Sequence, residues 1–376
     1  PYVVPPGFVR DRDFSQQTLF YMNEQSLSLA VENLKGGQSR AIFKNTKLDL
    51  NMYKRIKMFA HAQSKNNDVN QAGAFLRIGT DLKNNYYEIE IPSLKITGNT
   101  AKTPQEIWPN ENEFDVPLDI LRKLKLERNR NGIKMNEVYG KLEEVAGTVS
   151  GALTDIEENT SRKYILRVKG NPDLSNVLVM MIGIKNNDTT NANIGRDFTA
   201  WFDELRAFGF DQESGEAGVM SADIKLADIG TVMVNGNFRN YGFGGVQDRI
   251  SSRSRDLSQG FGVATNLDVD KFFPMKWGLS IPLFLNYDQQ IVKPTFNPLD
   301  PDIRLTDALL SPNAFQQNLT EAMVEERNIN KGFNFTNVRK IKTNPGAKGH
   351  FYDLSNFTFS YAQNQILRSS VLLNSM

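Results

Sequence analysis

Hydrophobic and polar positions alternate along much of this chain, most sharply at residues 277–287. Trp277, Leu279, Ile281, Leu283, Leu285 and Tyr287 fall on one face of an extended strand; Gly278, Ser280, Pro282, Phe284 and Asn286 fall on the other. The apolar face ends in Trp277 and Tyr287, ten residues apart. That length, with aromatics at both ends, suits a strand crossing an outer membrane. A half-buried strand of a water-soluble sandwich alternates in the same way. Pro282 removes a ladder donor, which predicts a bulge or local unpairing there.

Three further segments repeat the pattern. In residues 230–241, Val232, Val234 and Phe238 oppose Thr231, Asn235, Asn237 and Arg239. In residues 261–270, Phe261, Val263, Leu267 and Val269 oppose Gly262, Ala264, Asn266, Asp268 and Asp270. Near the end, Phe357, Phe359 and Tyr361 oppose Asn356, Thr358, Ser360 and Ala362. The second face stays small and polar throughout, as a wet lumen requires. The expected lipid-facing positions are Val232, Val234, Phe238, Phe261, Val263, Leu279, Ile281, Leu283, Leu285, Phe357 and Phe359. The expected pore-facing ones are Asn235, Asn266, Asp268 and Asn286. A connection over about 290–350 opens with PTFNPLDPD and holds a helix candidate at 313–327; connections this long are often functional. Four strands cannot close a barrel, since the smallest need about eight. The chain is therefore expected to be a fragment.

Residues 1–212 read differently. Short alternating runs at 25–31, 40–62, 75–80, 86–91, 164–168, 177–184 and 198–205 are separated by Asn, Gly and Pro turns. They predict a soluble jelly-roll-like β-sandwich. One helix is expected at 116–130, with Asp115 as its N-cap and Leu118, Leu121 and Leu124 on one face. Lys123, Lys125, Arg128 and Arg130 read as its solvated side. The turn-rich, acidic FDQESGEAG at 210–218 marks the boundary with a second domain at 213–376, a segment of antiparallel transmembrane strands from a very large outer-membrane β-barrel.

Composition narrows the function classes. The 376 residues allow about two domains. Lys plus Arg number 44 against 43 Asp plus Glu, so charge gives no case for nucleic acid. Cysteine is absent, which removes thiol nucleophiles and thiolate metal sites. No apolar run approaches the ~20 residues of a membrane helix, and the opening PYVVPPG shows no basic n-region or apolar h-region, so a mature chain or a piece of a longer one is expected. The two histidines, His61 and His350, lie far apart, and no nucleophile elbow, phosphate loop or zinc-protease motif appears. YGFGG at 241–245 reads as a hairpin turn. Asp188, Asp197, Asp203 and Glu204 suit either structural Ca²⁺ or ordinary turn carboxylates. The chain is thus expected to carry no catalytic residue, cofactor or resident metal.

Specific stretches carry a resemblance. They are YVVPPG at 2–7, NEQSLSL at 23–29, DLNMYKRIKMFAHA at 49–62 and GTDLKNNYYEIEIP at 79–92. IWPNENEFDVPLDIL at 107–121, WFDELRAFGF at 201–210, FFPMKWGLSIP at 272–282 and NPLDPDI at 297–303 follow in order. Together they resemble the SprA (Sov) family, giant outer-membrane translocons of the type IX secretion system in Bacteroidetes. The resemblance implies one wide β-barrel that exports folded cargo proteins and supports gliding motility. It also implies a PorV-like barrel partner, a periplasmic plug protein, secreted cargo and surrounding membrane lipids. Two other classes fit parts of the pattern. A secreted or surface glycan-binding sandwich would use aromatics such as Tyr86 or Trp108 to stack on sugars. A TonB-type transporter fragment would need an N-terminal plug, which residues 1–212 do not resemble.

Overall fold

The computed structural model describes residues 2–10, 12–13, 20–21, 24–64, 71–98, 101–148, 157–210, 214–248, 252–310, 324–343, 346, 349–370 and 373–375. It is mainly β, with every named strand pair antiparallel. Two units are distinct. Unit 1 holds Pro1–Asp211 together with Leu299–Ile303; unit 2 holds Gln212–Pro298, Arg304–Leu310 and Asn318–Met376.

Unit 1 starts with a short ribbon, β1 (Arg12–Asp13) and β2 (Phe20–Tyr21). Next come β3 (Leu27–Leu34), β4 (Ser39–Leu48), β5 (Tyr53–Ser64), β6 (Ala72–Gly79) and β7 (Tyr86–Ile91). After helix α1 (Pro104–Ile107), β8 (Phe114–Pro117) leads into helix α2 (Leu118–Arg130). β9 (Tyr139–Thr148), β10 (Glu157–Lys169), β11 (Val177–Asn186) and β12 (Arg196–Phe210) complete the unit. They form two sheets, ordered β4-β11-β6-β7-β10-β9 and β3-β12-β5-β8. One hydrophobic cluster joins the sheets. Ile56, Met58 and Phe198 enter it from one; Leu76, Ile78, Ile89 and Leu166 enter from the other. Leu118, Leu121 and Leu124 of α2 close the cluster, as their helical spacing requires.

Two expectations for α2 fail. Its N-cap is Pro117, with no side-chain cap; Asp115 lies two residues earlier, within β8. A residue before proline is held extended, so the helix cannot start upstream of it. The basic run is not simply solvated either. Lys123 is exposed and pairs with Asp119, but Lys125 and Arg128 are fully buried.

Unit 2 is built around a single sheet. Its strands are β13 (Ala217–Leu226), β14 (Gly230–Arg239), β15 (Asp256–Asp268), β16 (Leu279–Ser280) and β17 (Pro282–Pro294), then β20 (Glu326–Lys340), β21 (Thr358–Ser370) and β22 (Leu373–Ser375). The intervening β18 (Phe296–Asn297) and β19 (Asp300–Arg304) form a separate ribbon ahead of helix α3 (Leu305–Leu310). The sheet order is β13-β14-β15-β17-β20-β21-β22, with β16 beside β20.

Three of these strands, β13, β20 and β22, were not expected. β13 starts within the last two residues of the expected link at 210–218 and runs on to Leu226. β20 falls inside the expected loop, which is further shortened because β17 continues to Pro294. The helix candidate at 313–327 lies largely outside the described residues, and its last two positions, Glu326 and Arg327, belong to β20. At the other end, Met275–Trp277 is a short 3-10 turn ended by Gly278 in the left-handed region, so the strand starts at Leu279 rather than Trp277. The YGFGG segment does lie in the turn region between β14 and β15.

Pro282 behaves as the missing donor demands. Ser280 pairs with Arg339 and Leu283 with Phe335, so two residues on one strand face three on the other. Ile281 falls outside the strands, and Asn337 takes a positive φ of 60° within the bulge.

Candidate functional site

Residues directly opposed in an antiparallel pair lie on the same side of the sheet, so the registers of unit 2 define its two faces. One row runs Ile224, Val232, Thr265, Leu285, Phe333. The next runs Ala222, Val234, Val263, Tyr287, Lys331. Outer rows add Leu267, Leu283, Phe335 and Tyr361 at one end and Met220, Phe261, Ile329 and Leu367 at the other. Phe238 lies one row further along. Phe359 joins through Val338 across the bulge, and Leu279 through Lys340. Phe357 precedes β21 at the end of a 3-10 turn, and Ile281 lies in the gap beside Pro282. This face is uncovered: Phe261 keeps 49% of its surface exposed, Phe359 60% and Ile224 48%. The hydrophobic cluster, by contrast, draws wholly on unit 1.

The opposite face is built from other chemistry. Its rows run Asp223, Met233, Ala264, Asn286, Gly332, Asn364 and then Ser221, Asn235, Gly262, Asp288, Asn330. Asn266 faces Phe284 and Asn334, and Asp268 faces Pro282. Glycine makes room for the amides. A Cβ on Gly262 would come within 2.3 Å of Asn235 Oδ1, and one on Gly332 within 2.7 Å of Asn286 Oδ1. All four expected pore-facing residues share this face. Polar side chains also enter the apolar face, at Lys331, Gln363 and Gln365 on β20 and β21. The apolar surface is purest from β13 to β17.

Among the buried ionisable groups of unit 1, two clusters centre on aspartates. Asp115 meets Arg55 at 2.7 Å, Arg162 at 3.1 Å and Lys57 at 3.8 Å, and it accepts from both the amide and the hydroxyl of Thr148. Burial opposes its charge, but Arg55, Thr148 and Lys57 together outweigh that and hold its pKa below the usual carboxylate range. In the second place, Asp300 and Asp302 reach Lys125 at 2.5 and 3.3 Å. Tyr87 Oη donates to Asp302 at 2.7 Å, and the Leu174 amide donates at 2.5 Å. Burial raises the Asp302 pKa against the pull of Lys125.

The carboxylates weighed for calcium are not brought together. Asp188 caps the Thr190 and Asn191 amides and pairs with Arg196. Asp197 accepts from the Asn33 amide, and Asp203 from Tyr2 and the Glu204 amide. The candidate sugar-stacking residues Tyr86 and Trp108 are buried, at 7% and 3% exposure. Tyr86 lies under the Arg77 guanidinium, and Trp108 donates its indole N–H to the Val3 carbonyl. Sequence reasoning missed one feature, a cavity of about 470 Å³ in unit 1 lined by Tyr2, His61, Gln63, Thr97, Trp108 and Trp201 among others.

Residues 1–309 match the family described as SprA_N, motility related/secretion protein. The chain belongs to this family. The SprA_N match takes in the continuous part of unit 1, the Leu299–Ile303 segment and β13 to β17 of the sheet. Membership makes this a motility- and secretion-related protein. No curated protein matches the chain.

Proposed function

We propose that the chain is a structural part of an outer-membrane protein-conducting channel, the type IX secretion translocon, and performs no chemistry of its own. One observation carries this reading: an extended antiparallel sheet with a bare apolar face and an Asn- and Gly-rich opposite face. In water, such a sheet would leave large aromatic and aliphatic side chains unburied. In a bilayer, the same face is satisfied by lipid and the other by a wet lumen. The sheet would supply staves of a very large barrel. Val232, Val234, Phe238, Phe261, Val263, Leu279, Ile281, Leu283, Leu285, Phe357 and Phe359 would face lipid. Asn235, Asn266, Asp268 and Asn286 would face the pore. Unit 1 would be a jelly-roll-like soluble module.

Export of folded cargo, support of gliding motility, a PorV-like barrel partner and a periplasmic plug belong to the same proposal, supported by the family match and the resemblance of the quoted segments. An amide-rich lumen suits passage of folded proteins because it offers no large apolar patch to hold them. The buried positions of Tyr86 and Trp108 speak against the particular sugar-stacking surface considered for a glycan-binding protein.

The facing assignment is tested by arginine substitution within the full-length protein. Leu283 sits mid-way along the apolar run from Leu279 to Tyr287. Leu283→Arg is expected to cost about 2–4 kcal/mol if it lies near the bilayer midplane, read as loss of heat-resistant assembly in outer-membrane fractions. Asn286→Arg is expected to be milder. Normal assembly of Leu283→Arg would overturn the assignment.

A further inference from the structure

We infer that the cavity in unit 1 is a binding site for an uncharged pyranose sugar, a function separate from the channel reading and independent of it. The cavity lies on the side of the β3-β12-β5-β8 sheet that points away from the hydrophobic cluster. Ile56, Met58, Ala60 and Ala62 of β5 point into the cluster, so the intervening Phe59, His61 and Gln63 project the other way. Trp201 of β12 is opposed to His61 and projects with it. Tyr2 and Val3 form part of the lining, as do Ile107 and Trp108 at the end of α1.

The lining is selective in its chemistry. Among the described residues it contains no Lys, Arg, Asp or Glu. An ion entering it would lose hydration without gaining a counter-charge. His61 is buried at 6% exposure, and its Nδ1 lies 2.6 Å from the Ile107 carbonyl. A carbonyl oxygen only accepts, so Nδ1 carries the proton. Burial also lowers the His61 pKa and keeps the ring neutral. Nε2 is then an acceptor, and a ligand must bring an O–H or N–H to it.

Thr97 adds a second demand. It is 8% exposed, lines the cavity, and its hydroxyl has no hydrogen-bond partner among the described residues. A buried hydroxyl left without a partner is costly, and a ligand hydroxyl would satisfy it. Ser26 and Gln63 supply further neutral donors and acceptors in the lining. Trp201 is half-buried and offers an aromatic face, whose negative quadrupole suits the polarised C–H edge of a sugar ring. The volume lies within the range of small-ligand sites. Several hydroxyls, one apolar ring face and no charge describe a neutral pyranose. They do not describe an anion, a cation or a purely apolar group.

The test titrates the whole chain with glucose, galactose, mannose, N-acetylglucosamine, glucuronate and p-cresol, read by saturation-transfer NMR and tryptophan fluorescence. At least one neutral pyranose is expected to bind with a millimolar dissociation constant, and glucuronate is expected to bind at least about tenfold more weakly. Trp201→Ala is expected to weaken sugar binding by about tenfold or more. Should that variant not fold, Thr97→Val carries the test alone. It is expected to weaken sugar binding by about fivefold while raising the melting temperature of the sugar-free protein, because it removes an orphaned hydroxyl. Three outcomes would overturn the site: no transfer from any neutral pyranose at about 50 mM, binding of p-cresol alone, or Thr97→Val lowering the melting temperature with affinity unchanged.

Discussion

Asp115 shows how much one carboxylate holds in place. Arg55, Lys57 and Arg162 converge on it in a site from which water is excluded. Asp115→Asn leaves those cations short of their counter-charge and is expected to destabilise unit 1 by about 3–5 kcal/mol, measured by chemical denaturation. Its pKa is depressed in the folded state, so its contribution is complete above the unfolded carboxylate value and is lost as pH falls through the lower, folded value. Asp302 has the opposite sign. Its folded pKa is raised, so its contribution is present below the unfolded value and is lost as pH rises through the folded one. Asp115→Asn should therefore flatten the acid limb of the stability profile, and Asp302→Asn should raise the limb above it; denaturation midpoints across pH 2–7 check both. Neither role was legible in the sequence. Asp115 reads as a helix cap because it precedes an apolar helical stripe. Lys125 reads as solvated because Asp302, its partner, stands 177 positions away.

Among the elements, those with uninterrupted alternation were legible. The hairpin of β6 and β7, the separate strands β4 and β5 and the alternating cores of β14, β15, β17 and β21 follow from period-two patterning. β20 was hidden because Arg327 and Lys331 fall on its otherwise apolar face and Gly332 interrupts the other. β13 was hidden because its exposed Val219 sits among the polar residues of the second face, blurring the alternation. The bulge opposite Pro282 is an element-scale device with a residue-scale test. Asn337 holds the left-handed region at φ 60°, which asparagine tolerates and β-branched residues do not. Asn337→Gly is expected to be nearly neutral, and Asn337→Val to cost about 1–2 kcal/mol, read from the urea midpoint of the folded protein. Equal stabilities for the two variants would remove the bulge from the account of the β16–β17 break.

At the scale of the molecule, two β units obey different solvent rules. Unit 1 encloses a core between two sheets, while among the described residues the sheet of unit 2 adds nothing to that cluster, and the sequence separates the two by what lies on each strand's second face. Its edge strands, β13 and β22, each pair on one side only among the described residues. Unpaired backbone at membrane depth costs several kcal/mol per group, so closure by further strands is part of the channel proposal. The Leu299–Ile303 segment was not legible as part of unit 1, because PTFNPLDPD reads locally as a loop opening.

That segment sets an order of events during synthesis. The Lys125 ammonium emerges long before Asp300 and Asp302, and chain elongation at about 5–20 residues per second leaves it waiting roughly 10–35 seconds for its carboxylates. A nascent chain that has released only residues 1–211 therefore carries a cation with its last counter-ions still unmade. Over that interval α2 is expected to be more accessible to chaperones and proteases, until the Asp-Pro-Asp start of β19 arrives. Hydrogen exchange on a chain stopped at Asp211 should find the α2 amides poorly protected, and a peptide of residues 296–305 added in trans should restore their protection.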